Sequence, residues 1–132
     1  METGLLCCFF DDSEKTFSSW EELFRYEGIE NIRYLYCSFN NLTFLPDEIE
    51  NLINLEHIQC MGNQLTSLPQ SIGNLRNLEV LNCSSNQLTS LPGSIENLDN
   101  LKMLLCVGNP LDSISQEIVR RINARRVNHV AQ

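Results

Sequence analysis

The chain has 132 residues, of which 42% are hydrophobic and 20% are charged, and its formal net charge at pH 7 is −8. This length and this composition indicate a single folded domain. The acidic balance argues against a general nucleic-acid-binding protein, because attraction to phosphate groups requires a basic surface.

The first 28 residues do not follow the repeat that dominates the rest of the chain, and we expect them to form an N-terminal cap. Residues 5–10 are mostly apolar and predict a strand at the edge of a sheet. This segment lacks the basic leader and the small-residue cleavage site of an export signal, and it is shorter than the roughly 20 residues that span a bilayer. We therefore expect no targeting segment.

A short helix is predicted after this strand. Ser18 and Glu21 have the spacing of a capping box, in which two side chains satisfy each other's free backbone N–H groups at the start of a helix. Gly28 is expected to end the helix. Three apolar residues share the helix face that covers the first repeat: Trp20, Leu23 and Phe24.

Between residues 29 and 112, the residues of one motif recur at a constant step of 23 residues in four copies. Side chains alternate between the two faces of a strand, so the apolar columns of the motif point towards the interior. One coil cannot bury these residues alone, whereas a stack of coils gives them a common core. The inward positions are Ile32, Leu35 and Cys37; Leu55, Ile58 and Cys60; Leu78, Leu81 and Cys83; and Leu101, Leu104 and Cys106.

Two further columns define the turns of each coil. An inward asparagine can bond backbone groups that would otherwise be buried without partners. This column contains Asn40, Asn63, Asn86 and Asn109. A Leu-Pro pair later in each of the first three coils excludes a regular helix at that point and favours an extended or single-turn start to the return segment. The pairs are Leu45-Pro46, Leu68-Pro69 and Leu91-Pro92.

Four of the six cysteines form one column of the repeat, where free cysteine serves as a small buried hydrophobe. Neighbours in this column are expected about 4.8 Å apart, but their parallel side chains do not favour disulfide geometry. A linear column is also a poor tetrahedral zinc site. We therefore expect free thiols, no metal, no cofactor and a reducing compartment.

The fourth repeat departs from the pattern, as expected where a stack of coils ends. Three residues replace the proline and the leucines of the earlier copies: Ser115, Arg121 and Ala124. Residues 113–132 are predicted to form a C-terminal cap, with an amphipathic helix and a frayed tail from residue 128. Ser113 and Gln116 have capping-box spacing. The buried side of the helix is expected to contain Ile114, Ile118 and Ile122.

The motif Leu-x-Cys-x-x-Asn-x-Leu-x-x-Leu-Pro-x-x-Ile, which begins at Leu81 in the third copy, resembles the leucine-rich repeat from Ile29 to about Ala124. The resemblance implies an α/β fold: a short right-handed horseshoe of leucine-rich repeats with a parallel sheet on its concave face and helical caps at both ends. It also implies that the asparagine column is the family's structural ladder. Extracellular members tend to carry cysteine-rich caps at both ends, and the C-terminal segment here has none, so we expect a cytoplasmic protein.

The function that the resemblance implies is recognition of a protein or peptide partner through the concave face. The residues between the buried positions line this face, and none is an acid or a permanent base. Aromatic and methionine side chains supply contact area at a low desolvation cost. The predicted partner-binding residues are Tyr34, Tyr36, Phe39, His57, Gln59, Met61, Val80, Asn82, Met103, Leu105 and Val107. Alternatively, the C-terminal segment shields Met103, Leu105 and Val107 from a partner.

We expect no catalytic site. His57 and Cys60 are close in sequence, but a separation of three residues along a strand places them on opposite faces, which excludes a thiolate–imidazole pair. Cys7 and Cys8 are candidates for acylation, and the four arginines of residues 113–132 for contact with anionic lipid. Packed cysteines and solvated arginines are the simpler interpretation, so we do not expect membrane attachment.

Two other functions remain open on the sequence. The chain is either a monomer or a weak homodimer, and pairing through the apolar concave patch would make it a structural, self-assembling protein. It would otherwise be a small bacterial effector or signalling adaptor that acts on a regulatory protein, in the effector case after delivery into a host cell. The residues do not distinguish between these functions, nor do they identify the partner.

Overall fold

The computed structural model of the chain describes residues 4–131, and for residues 126–131 it describes the backbone alone. The described residues form six strands: β1 (Leu5–Phe9), β2 (Glu14–Phe17), β3 (Ile32–Tyr36), β4 (His57–Gln59), β5 (Val80–Asn82) and β6 (Met103–Leu105). They also form two α-helices, α1 (Trp20–Arg25) and α2 (Ser113–Ala131). Four 3-10 helices complete the chain: Ile29–Asn31, Asp47–Asn51, Gln70–Asn74 and Gly93–Asn97.

All six strands belong to one sheet in the order β2-β1-β3-β4-β5-β6. Strands β3 to β6 are parallel, and their register repeats the 23-residue step: Leu35 pairs with Ile58, Ile58 with Leu81, and Leu81 with Leu104. Strand β1 is antiparallel to β3, and β2 is antiparallel to β1. The predicted strand in residues 5–10 is present as β1, but it is not the edge strand. The chain turns back after β1 and forms β2, which lies at the edge of the sheet.

The core consists of the predicted columns. Leu35, Ile58, Leu81 and Leu104 are fully buried. The cysteine column Cys37, Cys60, Cys83 and Cys106 is also buried, so the inward assignment of the strand side chains is confirmed. On the return side, each Leu-Pro pair leads into a short 3-10 helix whose isoleucine is fully buried: Ile49, Ile72 and Ile95.

The asparagine column bonds the backbone of two coils at once. Asn63 Nδ2 donates to the carbonyl oxygen of Cys60 in its own coil at 2.9 Å, and to that of Cys37 in the preceding coil at 3.1 Å. Its Oδ1 accepts from the N–H groups of Asn40 at 2.9 Å and Leu42 at 3.0 Å. Asn86 and Asn109 repeat the pattern one and two coils later. These amides satisfy backbone groups that the turn would otherwise leave unpaired.

The first asparagine of the column holds the N-terminal segment in the same way. Asn40 Nδ2 donates to the carbonyl oxygen of Gly4 at 3.0 Å, and Asn40 Oδ1 accepts from the N–H of Gly4 at 2.7 Å. The ladder therefore continues from the repeats into the segment that precedes β1.

Helix α1 begins one residue later than the capping-box spacing predicted. Ser19, rather than Ser18, is the N-cap, and its Oγ accepts from the N–H of Glu22 at 3.1 Å. The Glu22 carboxylate accepts from the N–H of Ser18 at 2.8 Å, so the reciprocal partner is Glu22 and the predicted role of Glu21 is wrong. The helix ends at Arg25, three residues before Gly28. Gly28, with φ of +103°, instead precedes the 3-10 helix Ile29–Asn31.

Helix α2 begins at Ser113, which was expected to cap the helix rather than to belong to it, and its cap and buried face differ from those predicted. Asp112 caps it, since Asp112 Oδ1 accepts from the N–H of Ser115 at 2.8 Å, so the capping box predicted for Ser113 and Gln116 is wrong. Ile118 and Ile122 are buried as expected, whereas the side chain of Ile114 is 72% exposed. Ser115 takes the inward position because its hydroxyl accepts from the N–H of Leu91 at 2.9 Å. The backbone is helical to Ala131, where a frayed tail was expected, and Gln132 lies outside the described residues.

Polar side chains of α2 fasten it to the last coil. Asn123 Oδ1 accepts from the N–H of Leu104 at 2.8 Å, and Asn123 Nδ2 donates to the Leu104 carbonyl oxygen at 2.9 Å, so one side chain pairs with the outer edge of β6. Arg125 Nη1 donates to the carbonyl oxygens of Leu98 and Leu101 at 2.6 and 3.2 Å. Arg121 forms an ion pair with Glu96 at 2.6 Å. Arg121 and Arg125, two of the four arginines considered as candidates for lipid contact, therefore interact with the last coil.

A core truncation tests the stacking of coils. We expect Leu81→Ala to lower the free energy of unfolding by about 2–5 kcal/mol, because it leaves a cavity between coils. Val80→Ala changes the adjacent outward residue, and we expect it to cost less than about 1 kcal/mol. Urea denaturation of both variants measures the difference, and equal effects would contradict the alternation of burial along β5.

The pairing of α2 with β6 is tested separately by hydrogen exchange. Asn123→Ala removes the acceptor of the Leu104 N–H, and we expect this amide to exchange at least about tenfold faster, consistent with the loss of roughly 1.4 kcal/mol of local protection. The Ile58 amide, in an inner strand, serves as the control and should keep its rate. If the Leu104 amide keeps its protection, Asn123 does not close the sheet edge.

Candidate functional site

We use the name sheet face for the outward side of β3 to β6 together with the turn residues that follow these strands. The register aligns its strand residues in two rows, Tyr34, His57, Val80 and Met103, and Tyr36, Gln59, Asn82 and Leu105. The eight residues of these rows and Met61 are half-buried. Phe39 and Val107, in the turns, are 59% and 77% exposed, so α2 does not cover Val107. The structure thus brings the eleven predicted residues to one side of the molecule.

The composition of the sheet face changes along the sheet. At its β3 end, the ring centroids of Tyr34 and His57 are 4.4 Å apart, and those of Tyr34 and Tyr36 are 6.2 Å apart. In the middle, Asn82 Nδ2 donates to Gln59 Oε1 at 3.0 Å. At the β6 end the residues are aliphatic or methionine. The face therefore offers an aromatic end, a polar centre and an aliphatic end, and its two rows contain no acid, lysine or arginine.

Sequence analysis missed two features of the sheet face, its extension onto β1 and the arginine at its border. Antiparallel pairing places Leu6 opposite Tyr36 and Cys8 opposite Tyr34, so these half-buried β1 residues extend both rows by one strand. They were missed because the sequence assigned no register to β1. The alternation of residues 5–9, with positions 5, 7 and 9 buried, is the signal that identifies the outward pair in hindsight.

The second missed feature is Arg33, which borders the aromatic end. Its guanidinium carbon lies 4.8 Å from the Tyr34 ring centroid and 5.6 Å from that of Phe10. Its Nε donates to Glu56 Oε1 at 2.9 Å. The ion pair holds the guanidinium beside the aromatic rings, where it adds a cation–π contact. The 23-residue spacing of Arg33 and Glu56 is the sequence signal for this pair.

The positions and the ionisation of the interior thiols decide whether they could form an active site. His57 lies on the sheet face and Cys60 is fully buried beneath it, so the two side chains are on opposite sides of the sheet. Burial raises the pKa of the Cys60 thiol to about 12, and burial together with the nearby Cys8 raises the pKa of Cys7 to about 12. These thiols stay protonated near neutral pH and are poor nucleophiles. All six cysteines are free.

Within residues 4–125, whose side chains the structure describes, no three His, Cys, Asp or Glu side chains come together in a way that could hold a metal ion. The cysteine column is instead a stack of thiols, in which the Sγ atoms of Cys83 and Cys106 approach to 3.1 Å. The arrangement has the chemistry of a packed core rather than that of a catalytic centre.

The turn after each strand has an unusual backbone. The same position of each coil has a positive φ: Phe39 at +57°, Gly62 at +71°, Ser85 at +57° and Gly108 at +79°; in the first coil Asn41 has one as well, at +58°. Such angles are strained for residues other than glycine, and most of all for a bulky aromatic residue. The Phe39 ring lies against Gly62, where an added Cβ would be 2.2 Å from Phe39 Cε1. Gly62 thus leaves room for an exposed ring that the local backbone does not favour.

The stacked coils and their parallel strands define a solenoid repeat protein. A family profile described as a leucine-rich repeat region matches residues 19–124. The chain therefore belongs to the leucine-rich repeat family, as the 23-residue motif predicted. Members of this family generally act as protein-interaction modules, so this general function is supported.

A solved structure of a leucine-rich repeat protein from Leptospira interrogans is similar to the chain, with 37% sequence identity and a TM-score of 0.66. The similarity covers 74% of this chain and 26% of that one, so the match accounts for about a quarter of the longer protein. No curated protein matches the chain. Within the described residues, no helix combines the length and the apolarity required to cross a bilayer.

The packing of Phe39 on Gly62 gives a stability test. We expect Gly62→Ala to lower the free energy of unfolding by about 1–3 kcal/mol, because the new methyl group strikes the Phe39 ring at a positive φ. Phe39→Gly removes both the ring and the strain at residue 39, so the same alanine substitution should cost less in that background. Gly93→Ala is the control, because nothing lies within 4 Å of its Cβ position, and we expect it to be neutral. A double-mutant cycle without coupling would show that the ring does not occupy this position.

Proposed function

We propose that the chain is a non-catalytic interaction module whose sheet face forms the concave side of a short right-handed horseshoe and binds one protein or peptide partner. The observation that carries the proposal is the alignment of two rows of half-exposed aromatic, amide and aliphatic side chains without formal charges. Such a surface loses little free energy on desolvation and gains contact area when it is covered.

The size of the sheet face limits the partner. Four parallel strands at about 4.8 Å spacing span roughly 15 Å, which fits a peptide, a loop or one face of a small domain. The Tyr34 and Tyr36 end supplies rigid aromatic contacts and the Leu105 end supplies aliphatic ones. A segment with apolar groups at both ends and hydrogen-bonding groups in its middle would complement this order.

We further propose that residues 1–28 and 113–132 act as caps for the repeats of residues 29–112. Support comes from the β1–β2 hairpin, which covers the first parallel strand, and from Asn123, which pairs with the backbone of the last one. Six free cysteines, of which five are buried, favour a reducing compartment such as the cytoplasm. The proposed protein is a monomer, or a weak homodimer if a second copy takes the sheet face.

Charge placed on the sheet face tests the proposal. The double variant Tyr36→Glu, Leu105→Glu should weaken binding to the partner at least about 30-fold, because a carboxylate would be desolvated at each end of the contact. The matched control is Phe44→Glu, Ile53→Glu, which adds the same charge at exposed apolar residues away from the sheet face. We expect this control to bind within about threefold of the wild type.

The measurement has two stages. Affinity purification with the wild type and both variants identifies proteins that only the sheet-face variant loses, and calorimetry with the purified partner then gives the dissociation constants. Loss of binding in the control variant alone would contradict the proposal. If sedimentation shows a dimer that Tyr36→Glu disperses, the sheet face serves self-association instead.

A further inference from the structure

A second concave surface lies at the N-terminal end of the molecule, away from the sheet face rows. It is a cavity of about 370 Å³ at the end of β1, between the β1–β2 turn and the segment that follows α1. This volume lies within the usual range for small-ligand pockets, roughly 300–1,000 Å³. Phe9, Phe10 and Tyr26 contribute aromatic rings to its lining, and Asp11 and Glu27 contribute carboxylates. We call it the N-terminal cavity.

The aromatic rings of this region are inclined to one another rather than stacked. The centroids of Phe9 and Tyr26 are 5.7 Å apart with an interplanar angle of 55°, and those of Phe17 and Tyr26 are 5.3 Å apart at 70°. Phe9 and Tyr26 line the cavity, and the fully buried Phe17 supports the Tyr26 ring from the interior. All ten aromatic residues of the chain occur within its first 44 residues, which is the sequence signal for this concentration.

The same rings already attract cations of the protein itself. The Lys15 ammonium lies 5.8 Å from the Tyr26 centroid and 5.4 Å from the Phe17 centroid. The Arg33 guanidinium lies 5.6 Å from the Phe10 centroid. Both distances to the cavity rings fall within the reach of cation–π attraction, about 6 Å. Cations are therefore the groups that this aromatic cluster selects within its own chain.

The charged residues that line the cavity also favour a cationic ligand. None of the eight residues that line the cavity is basic, and two are acids. Hydrogen bonds from the Ser13 side chain and backbone lower the pKa of Asp11 from its usual value, which keeps this carboxylate ionised near neutral pH. The Asp11 Oδ1 atom accepts both bonds, so it is committed to Ser13. The two carboxylates therefore place negative charge beside the aromatic rings of the cavity.

We propose that the N-terminal cavity binds a ligand that presents an alkylated ammonium group, either free or on a modified lysine side chain. An alkylated ammonium spreads its charge over methyl groups, needs no hydrogen-bond acceptor and is weakly hydrated, so inclined aromatic faces with nearby carboxylates complement it. The proposal concerns residues outside the sheet face and is independent of the function proposed for that surface.

Choline and its neutral isostere 3,3-dimethyl-1-butanol separate charge recognition from simple apolar binding. In a titration followed by ¹H–¹⁵N correlation spectra, we expect choline to shift the amide signals of Tyr26, Gly28 and Asn31, and to bind at least about fivefold more tightly than the isostere. Equal affinities, or the absence of shifts at these amides in molar excess of choline, would overturn the proposal.

Three variants assign the binding to the cavity. Tyr26→Leu keeps an apolar side chain but removes the ring, and Glu27→Gln removes one carboxylate at an exposed site. We expect each to weaken choline binding about two- to fivefold, whereas Tyr26→Phe should retain it. Tyr36→Leu, a ring removed from the sheet face, is the matched control. Choline binding that is lost with Tyr36→Leu and kept with Tyr26→Leu would place the site elsewhere and reject the proposal.

A further pair of probes distinguishes the two sources of the group. A short peptide with one trimethyllysine is compared with the same peptide carrying unmodified lysine, and with choline. Tighter binding of the trimethyllysine peptide than of choline would assign the cavity to a modified protein. Equal affinities for the trimethyllysine peptide and choline would assign the cavity to a small-molecule ligand. If the Tyr26→Leu variant still bound the trimethyllysine peptide more tightly than the unmodified peptide, the cavity would not be the binding site.

Discussion

The structure depends on one interaction, the paired hydrogen bonding of each inward asparagine with the backbone of its own coil and of the coil before it. A coil of 23 residues turns sharply after its strand, and the turn would bury backbone groups without partners. Asn63, Asn86 and Asn109 supply the missing donors and acceptors at distances near 3 Å. Each asparagine meets carbonyl groups of two coils, so the ladder fixes how the turn of one coil lies on the turn of the next.

This constraint also determines which positions are available for recognition. Leucine, isoleucine and cysteine columns fill the interior, and the asparagines and prolines shape the turns, so the outward strand positions carry the smallest structural demand. Their aromatic and apolar composition is therefore informative, as is the retention of Phe39 at a positive φ on top of Gly62. The two ends of the sheet are protected by different means. Strand β2 is short with exposed charges at Glu14 and Lys15, and Asn123 of α2 pairs with β6.

The sequence predicted most of the repeat region because the alternation of side chains and the 23-residue period are local signals. It failed where tertiary contacts decide between similar local choices. Ser18 and Ser19 are equivalent cap candidates by composition, and the position of Glu22 selects Ser19. Ile114 fits the apolar side of a helix, but Ser115 displaces it because Leu91 needs an acceptor. Strand β2 was not predicted, because an edge strand with one buried residue shows no apolar alternation. The extension of the sheet face to Leu6 and Cys8 depends on the antiparallel pairing of β1 with β3, whose register could not be derived from the sequence.

Hydrogen exchange of the turn amides tests the hydrogen bonds of the asparagine ladder most directly. The N–H groups of Leu65 and Leu88 donate to Asn86 Oδ1 and Asn109 Oδ1, each at 3.0 Å, and so they rely on a side chain of the next coil. If the coils are stacked by these asparagines, both turn amides should exchange as slowly as the strand amides of Ile58 and Leu81. Exchange of Leu65 and Leu88 at the rate of free loop amides, with the strand amides still protected, would contradict the account.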